Sequence, residues 1–160
     1  MILFLLLLAA CGPRSGPAVQ GGFRAAEAPI YSSAVVEVSR LAGQWQQVAT
    51  FAGEGQAECR AGRVDFAAED LRWDLCLPGG KRSGTGPLTP ATPGRFGVEG
   101  MDDWWVLWVD ADYRTLVIGT PSGDYGFVLN RGLDLPQDRA KAVRDIFQFN
   151  GYAAESLEFF

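Results

Sequence analysis

Residues 103–113 read DWWVLWVDADY and contain three of the five tryptophans of this 160-residue chain. Successive side chains of a β-strand point to opposite faces, so both faces of a strand here would be apolar. Large apolar runs are unusual at a solvent-exposed surface outside an interface. We therefore predict a strand that is buried on both sides, with Trp104, Val106 and Trp108 on one face and Trp105, Leu107 and Val109 on the other.

The sequence around this stretch has the pattern of an all-β domain. From Leu41 onward, apolar and polar residues alternate between closely spaced Gly/Pro turns. Eight strands with short connections favour an up-and-down antiparallel β-barrel, because closing the sheet removes its exposed edges. The predicted strands are 43–51, 58–66, 71–77, 81–88, 94–99, 103–110, 115–120 and 125–131.

One amphipathic helix is predicted after the eighth strand, within residues 135–151. Pro136 near its first position and Gly151 after its last turn are typical helix limits. A single apolar face predicts that the helix packs against the outside of the barrel. The C-terminal LEFF stretch is predicted to return as a short strand. The apolar face of the helix consists of Ala140, Val143, Ile146 and Phe147.

The N-terminal MILFLLLLAAC stretch is too short to span a bilayer, which needs ~20 apolar residues, but suits a secretory signal. Leu-Ala-Ala before Cys11 resembles the lipobox of bacterial lipoproteins, in which the cysteine is lipidated; a plain cleaved signal or a buried first strand is the alternative. We predict a signal peptide at 1–10, lipidated Cys11 with a flexible tether at 11–38, and one domain at 39–160. This implies a protein anchored in the bacterial cell envelope, at the outer membrane and facing the periplasm.

Composition excludes several classes of function. The net charge is −5 and the chain has no Lys/Arg cluster, which argues against nucleic-acid binding. The chain has no histidine, which removes histidine-activated nucleophiles and histidine metal sites. We expect no metal, no cofactor and no enzymatic activity. The acidic residues Asp102, Asp103, Asp110 and Asp112 suggest an acid/base pair, but strand ends and turns are ordinary positions for Asp.

Cys59 and Cys76 are the two cysteines left once Cys11 is lipidated. In an oxidising compartment they are predicted to form a disulfide. Two buried free thiols are the alternative, while a zinc site is disfavoured because histidine is absent.

Three short motifs stand near the ends of the predicted strands. Gly43-Gln44-Trp45 resembles the Gly-x-Trp signature of the lipocalin family, Asp112-Tyr113 resembles its second conserved region, and Arg131 resembles the arginine that closes its last barrel strand. They occur in family order over residues 39–160, and with the N-terminal signal they most resemble the membrane-anchored bacterial lipocalins. The usual aromatic residue after Trp45 is here Gln46.

The resemblance implies a barrel closed at one end. Trp45 would plug that end beneath the Arg131 guanidinium, and Gly43 would let the backbone pass close to the plug.

The resemblance also implies a small hydrophobic or amphiphilic ligand inside the barrel, such as a fatty acid or lysophospholipid. The alternative is a barrel filled by its own aromatic rings, serving as an envelope scaffold or interaction protein. Strand parity sets the predicted lining, and a β-bulge would reverse it. The predicted ligand-binding residues are Ala49, Phe51, Phe96, Trp104, Val106, Trp108, Tyr125 and Phe127.

Overall fold

The computed structural model describes residues 22–53, 59–67 and 70–160; the predicted signal peptide and Cys11 lie outside this part of the chain. Eight antiparallel strands form a closed barrel, because β1 pairs with both β8 and β2. The strands are β1 (Gly43–Phe51), β2 (Gly62–Phe66), β3 (Asp70–Leu77), β4 (Gly80–Thr92), β5 (Arg95–Val98), β6 (Trp104–Val109), β7 (Thr115–Gly119) and β8 (Gly126–Asn130). The predicted fold class is confirmed.

The predicted elements after the barrel are also present. A short helix α1 (Val38–Leu41) precedes β1, and α2 (Gln137–Phe149) follows β8. The final strand β9 (Leu157–Phe159) pairs with β1 outside the barrel. Neither described helix combines the length and the hydropathy needed to span a membrane.

The predicted strands match the observed ones closely, apart from the second and the fourth. The second was expected over 58–66, but β2 begins only at Gly62. The fourth differs at its end. It was expected to end at Leu88 but continues to Thr92, with an irregular register between Pro90 and Thr92. A tight turn joins the seventh and eighth strands, in which the Gly123 N–H donates to the Thr120 carbonyl over 3.1 Å.

Buried apolar side chains form two clusters, separated by the barrel wall. The inner cluster fills the barrel, and its large members include Trp45, Phe66, Trp73, Phe96, Trp104 and Phe127. The outer cluster lies between the wall and α2, where Val143 and Phe147 are fully buried. The predicted position of the helix outside the barrel is therefore confirmed.

A β-bulge changes the side-chain directions in β6. Its register with β7 shifts between Val106 and Trp108. Trp108 consequently joins Trp105 in the outer cluster, while Val109 packs against the inner one. The prediction that Trp108 lines the interior is wrong, because one additional residue in a strand reverses the parity of every residue after it.

The same correction applies to β1. Its register with β8 shifts between Gln47 and Ala49. Ala49 and Phe51, which were predicted to line the interior, are buried in the outer cluster instead. Phe51 packs there against the edge of Phe147, with 4.8 Å between ring centroids.

Residues 22–37, the described part of the predicted tether of 11–38, pack on the barrel. The Phe23 N–H donates to the Gly123 carbonyl over 2.7 Å, and the Ser33 N–H donates to β6. Arg24 is only 6% exposed and donates to the Asn150 carbonyl over 3.0 Å. Residues 22–37 are therefore part of the folded unit, held by backbone hydrogen bonds and by side chains such as Arg24 and Phe23.

Candidate functional site

One end of the barrel is closed by Trp45. Its ring is fully buried, and its Nε1 donates to the Leu41 carbonyl of α1 over 2.7 Å. The guanidinium carbon of Arg131 lies 3.9 Å from the ring centroid, which is a cation–π contact. This is the arrangement that the sequence predicts for these two residues.

Arg131 also donates hydrogen bonds to the backbone around Trp45. It donates to the carbonyls of Arg40 (3.0 Å), Leu41 (3.3 Å), Gln44 (3.2 Å) and Tyr113 (3.4 Å). Burial lowers the pKa of Arg131. Gly43 has φ +93°, a backbone conformation that favours glycine, and a Cβ there would lie 3.3 Å from Arg131 Nη1.

Tyr113 completes the closed end. The Arg40 guanidinium lies 3.9 Å from its ring centroid. The Tyr113 hydroxyl accepts from the Glu37 N–H over 2.9 Å and donates to the Val35 carbonyl over 3.3 Å. The chain before α1 is thus fixed across this end, and a ligand would approach from the other one.

The middle of the barrel is packed with aromatic rings. Trp104 contacts Phe127 and Trp73 edge to face, with centroid distances of 5.0 and 6.3 Å. Tyr125 and Phe127 are stacked at 6.4 Å. Five of the predicted lining residues face this interior, but they form part of its packed core and do not line an open cavity. These residues are Phe96, Trp104, Val106, Tyr125 and Phe127.

Trp104 carries an unmatched polar group in this core. Its Nε1 is buried and has no hydrogen-bond partner among the residues that the structure describes. The neighbouring Tyr125 hydroxyl donates to the Asp102 carbonyl over 3.1 Å. Burial raises the pKa of Tyr125 to about 12, and its proximity to the Trp104 N–H opposes that rise. An unmatched buried donor costs about 1–3 kcal/mol, so an acceptor on a ligand would stabilise it.

Two depressions lie at the open end of the barrel. The larger has a volume of about 460 Å³ and the smaller about 280 Å³, and both are lined by Arg82, Gly100 and Met101. The larger is also lined by Trp73, Ser83, Gly84, Thr85 and Glu99, and the smaller by Leu77, Pro78, Asp102, Asp124 and Tyr125.

The larger depression is a gap in the barrel wall. Residues 80–87 of β4 pair with β3, but β4 pairs with β5 only from Leu88 onward. The first half of β4 therefore faces the β5–β6 connection at Glu99 and Met101 without a strand partner on that side. Such a gap gives a ligand access to the inner face of β4.

Trp73 forms the apolar wall of this gap. It pairs with Gly84 across β3 and β4, and a methyl group at Gly84 would overlap its indole ring. The ring therefore lies flat over the glycine, and Trp73 is 7% exposed at the depression. Glycine on β4 is what leaves room for this indole.

Charges of both signs surround the depressions. Asp102 is paired, since its carboxylate accepts from the Asp103 N–H (2.9 Å) and the Ser122 N–H (3.3 Å). Within the described part of the chain, the side chains of Arg82, Glu99 and Asp124 make no hydrogen bond or ion pair. These three groups are available to a ligand.

The acidic residues near β6 do not form one acid/base pair. Asp102 and Asp103 precede β6, whereas Asp110 and Asp112 follow it, roughly 20 Å away for a six-residue strand. The Asp110 carboxylate accepts from the backbone N–H groups of Arg114 and Thr115, as a turn residue does. Within residues 22–53, 59–67 and 70–160, no three His, Cys, Asp or Glu residues are placed to hold a metal ion.

The predicted disulfide is confirmed and fixes the barrel near its open end. Cys59 and Cys76 are bonded, with a Cα–Cα distance of 5.5 Å. The Gln47 amide reaches across Gly62, accepting from the Cys76 N–H (2.8 Å) and donating to the Cys76 carbonyl (2.7 Å). The Gln47 side chain of β1 is thus hydrogen-bonded to the backbone of β3, across Gly62 at the start of β2.

Trp73, Arg82 and Met101 were not among the site residues predicted from the sequence. The available signal was the alternation of Leu71, Trp73 and Leu75 in β3. Across the hairpin, Leu71 and Trp73 pair with glycines of β4, and Leu75 pairs with Arg82. The gap itself depends on where β4 and β5 stop pairing, and no residue pattern marks that point.

Comparison with known proteins supports a lipocalin-like fold. A family model described as a lipocalin-like domain matches residues 95–160. The structure is similar to lipocalin 12 from rat epididymis, with a TM-score of 0.61 and 11% identity, over 82% of this chain and 90% of that one.

Two further solved structures are similar. The cockroach allergen Per a 4 has a TM-score of 0.59 and 10% identity, over 82% of this chain and 92% of that one. The siderocalin Ex-FABP, described as functioning through dual ligand specificities, has a TM-score of 0.54 and 18% identity, over 76% and 93%. No curated protein sequence matches this chain. At these identities the similarities show the fold alone.

Proposed function

We propose that this protein binds a small amphiphilic molecule at the open end of the barrel. The observation that carries the proposal is the pair of adjoining depressions, which share Arg82 and Met101. The larger, at about 460 Å³, falls within the roughly 300–1,000 Å³ usual for ligand sites. Proteins of the lipocalin fold bind small hydrophobic ligands, which agrees with this function.

The apolar part of the ligand would lie against Trp73, Leu77 and Met101, and its polar end near Arg82. Desolvation at about 25 cal/mol per Å² of apolar surface would provide most of the affinity. Since the middle of the barrel holds the packed rings of Trp104 and Phe127, the ligand would sit at the opening and in the gap of the wall. This is shallower than the interior position expected from the sequence.

Attachment to the bacterial outer membrane through Cys11 is also part of the proposal. It is supported by the lipobox-like sequence and by the position of Gly22, which packs against Gly123 at the open end. An anchor preceding Gly22 would hold the opening close to a supply of amphiphiles. Replacing Cys11→Ala should release the protein from the membrane fraction, while the nearby Ser15→Ala should not. Retention of the Cys11→Ala variant at the membrane would contradict this part.

A second function, an interaction protein without a ligand, is favoured by the packing of the inner cluster. Trp45, Trp104 and Phe127 are between 0 and 1% exposed and leave the interior filled. In that case the barrel would serve as a rigid support for an outer surface that contacts an interaction partner.

Titration of intrinsic tryptophan fluorescence with dodecanol, together with native mass spectrometry of the detergent-free protein, separates the two functions. We expect a saturable change in the wild type and at least about tenfold weaker binding in Met101→Glu, because a carboxylate would replace the apolar wall. Val35→Glu is the matched control, since Val35 is 80% exposed near the closed end. Absence of binding in the wild type, or equal binding in Met101→Glu, would reject the proposed site.

A further inference from the structure

The first half of β4 directs part of its backbone into the gap in the barrel wall. Leu77 and Gly80 pair across a two-residue loop, so they exchange both of their backbone hydrogen bonds. The register of β3 and β4 continues from there without a shift, and every second residue of β4 therefore bonds to β3. These bonded residues carry even numbers. Lys81, Ser83 and Thr85 accordingly direct their N–H and C=O groups away from β3, towards the gap.

The backbone groups of these three residues, which we call the free edge, are unpaired within the part of the chain that the structure describes. β5 pairs with β4 only from Leu88 onward, and the β5–β6 connection makes no backbone hydrogen bond to the free edge. Three N–H and three C=O groups thus form a row about 13 Å long, at roughly 3.3 Å per residue. Pro87, the next residue of the series, has no N–H to donate. An unpaired row of this kind is a template for another β-strand.

The spacing of these groups selects an extended polypeptide as the occupant. A donor and an acceptor recur together at every second residue, and a neighbouring strand complements this pattern with its own backbone. The depression of about 460 Å³ lies along the free edge and has Glu99 and Met101 on its other side. The space beside the free edge is therefore a groove with two walls, which suits one extended segment better than the edge of a second barrel.

The side chains along the groove specify the sequence of that segment. Arg82, Gly84 and Gly86 share one face of β4, because they are two residues apart. The Trp73 ring lies over Gly84, and a Cβ on Gly86 would lie 3.4 Å from Glu99 Oε2. Within the described ranges, neither Arg82 nor Glu99 has a hydrogen-bond or ion-pair partner. This face of the groove thus offers a cation, an apolar ring and an anion, in that order.

We propose that β4 binds an extended segment of another protein by antiparallel β-strand addition, and that the segment has the pattern basic-x-apolar-x-acidic. Its basic residue lies opposite Gly86 beside Glu99, and its acidic residue lies opposite Arg82. Its apolar residue lies opposite Gly84, against Trp73. Backbone hydrogen bonds to the free edge provide affinity, and the three side chains provide selectivity. This interaction goes beyond the proposed function, although the apolar residue would occupy the larger depression.

The test titrates the purified full chain with the heptapeptide acetyl-Thr-Lys-Thr-Leu-Thr-Glu-Thr-amide and follows binding by isothermal titration calorimetry. We expect saturable binding. The charge-exchanged peptide acetyl-Thr-Glu-Thr-Leu-Thr-Lys-Thr-amide should bind at least about tenfold more weakly, because it places like charges beside Arg82 and Glu99.

A methyl group on one peptide nitrogen tests the backbone hydrogen bonds. On the threonine that follows the leucine, it replaces the N–H that faces Ser83 and also pushes the two strands apart. Affinity should then fall at least about tenfold. The same methyl on the leucine nitrogen is the matched control, since that N–H points away from β4 and its loss should change the affinity little.

A charge reversal in the protein tests the assignment of Arg82. Arg82→Glu should weaken the first peptide about tenfold, and a peptide with Lys in place of its Glu should recover the affinity. A general disturbance of the fold would not produce this recovery. Arg63→Glu, an equal change at an exposed position of β2, is the control and should leave both affinities unchanged.

Several results would overturn strand addition at β4. They are absence of binding by the first peptide, equal affinity for the charge-exchanged peptide, equal losses from the two methyl groups, and no recovery in Arg82→Glu. Dodecanol titration of the same protein judges the proposed function separately. A chain that binds dodecanol but not the peptide would reject only the strand addition.

Discussion

The guanidinium of Arg131 and the indole of Trp45 face each other at 3.9 Å, and together they close one end of the barrel. Arg131 follows β8 directly, and Trp45 lies in β1, the strand that β8 pairs with to close the sheet. The contact therefore joins the two strands at the seam of the barrel. It leaves the opposite end, with Arg82 and Trp73, as the place where a ligand gains access.

Replacing Arg131→Met should destabilise the protein by about 2 kcal/mol. The change keeps much of the apolar stem but removes the cation–π contact and the hydrogen bonds to four backbone carbonyls. Urea denaturation measures the effect. Arg114→Met is the control, because Arg114 is 57% exposed and its ion pairs contribute little. A loss no larger than in the control would contradict the role of Arg131.

Gln47→Leu should cost about 2–4 kcal/mol. The substitution preserves the buried volume but leaves the N–H and carbonyl of Cys76 without partners where water has little access. Gln46→Leu on the same strand, whose amide makes only a 3.5 Å contact with Gln44, should be nearly neutral. Thermal unfolding of the two variants measures this difference in stability. Equal melting temperatures would show that the hydrogen bonds to Cys76 do not contribute to stability.

Gly84→Ala should destabilise the protein by about 1–3 kcal/mol and change its tryptophan emission. The added methyl would overlap the Trp73 indole, so the ring has to move from the wall of the gap. Gly97→Ala in β5 is a close control, since its Cβ would meet nothing nearer than 3.7 Å. If both variants unfold at the same temperature with the same emission spectrum, Trp73 does not rest on Gly84.

Alkaline pH should weaken the fold through Tyr125. Burial raises its pKa from 10.0 to about 12, so the folded state holds the phenolic proton more tightly than the unfolded state does. The corresponding stability is complete below pH 10 and is lost as the pH rises towards 12. Tyr125→Phe should show a shallower loss of unfolding free energy over this range. The absorbance of tyrosinate, compared between the wild type and Tyr125→Phe, reports the ionisation of Tyr125. Ionisation near pH 10 would contradict the raised pKa.

The sequence predicts the barrel well because its signals are local. Alternation and Gly/Pro turns mark each strand, while Pro136 and Gly151 bracket α2 nearly where it begins and ends. The plug is also predictable, because Trp45 and Arg131 stand at fixed positions relative to the ends of β1 and β8. Such features depend on a few neighbouring residues.

The direction of side chains beyond a bulge is not predictable in the same way. The bulges after Gln47 and Val106 lie where β1 and β6 pass beneath the outer cluster, and no glycine or proline marks them. One unmarked residue in β1 moved Ala49 and Phe51 to the other face, and one in β6 moved Trp108.

The packing of residues 22–37 on the barrel could not be predicted from the sequence for a different reason. Their contacts, such as the Phe23 N–H to the Gly123 carbonyl and the Arg24 side chain to the Asn150 carbonyl, join residues that lie far apart in the sequence, so no local pattern marks them.

The most direct test of binding at the open end is an NMR titration of the five tryptophan indole N–H signals with dodecylphosphocholine. The signals of Trp73, which lines the larger depression, and of Trp104, whose N–H has no partner, should shift as the site saturates. The signal of Trp45, buried at the closed end, should stay in place. Saturable binding that shifts Trp45 and leaves Trp73 and Trp104 unchanged would contradict the account.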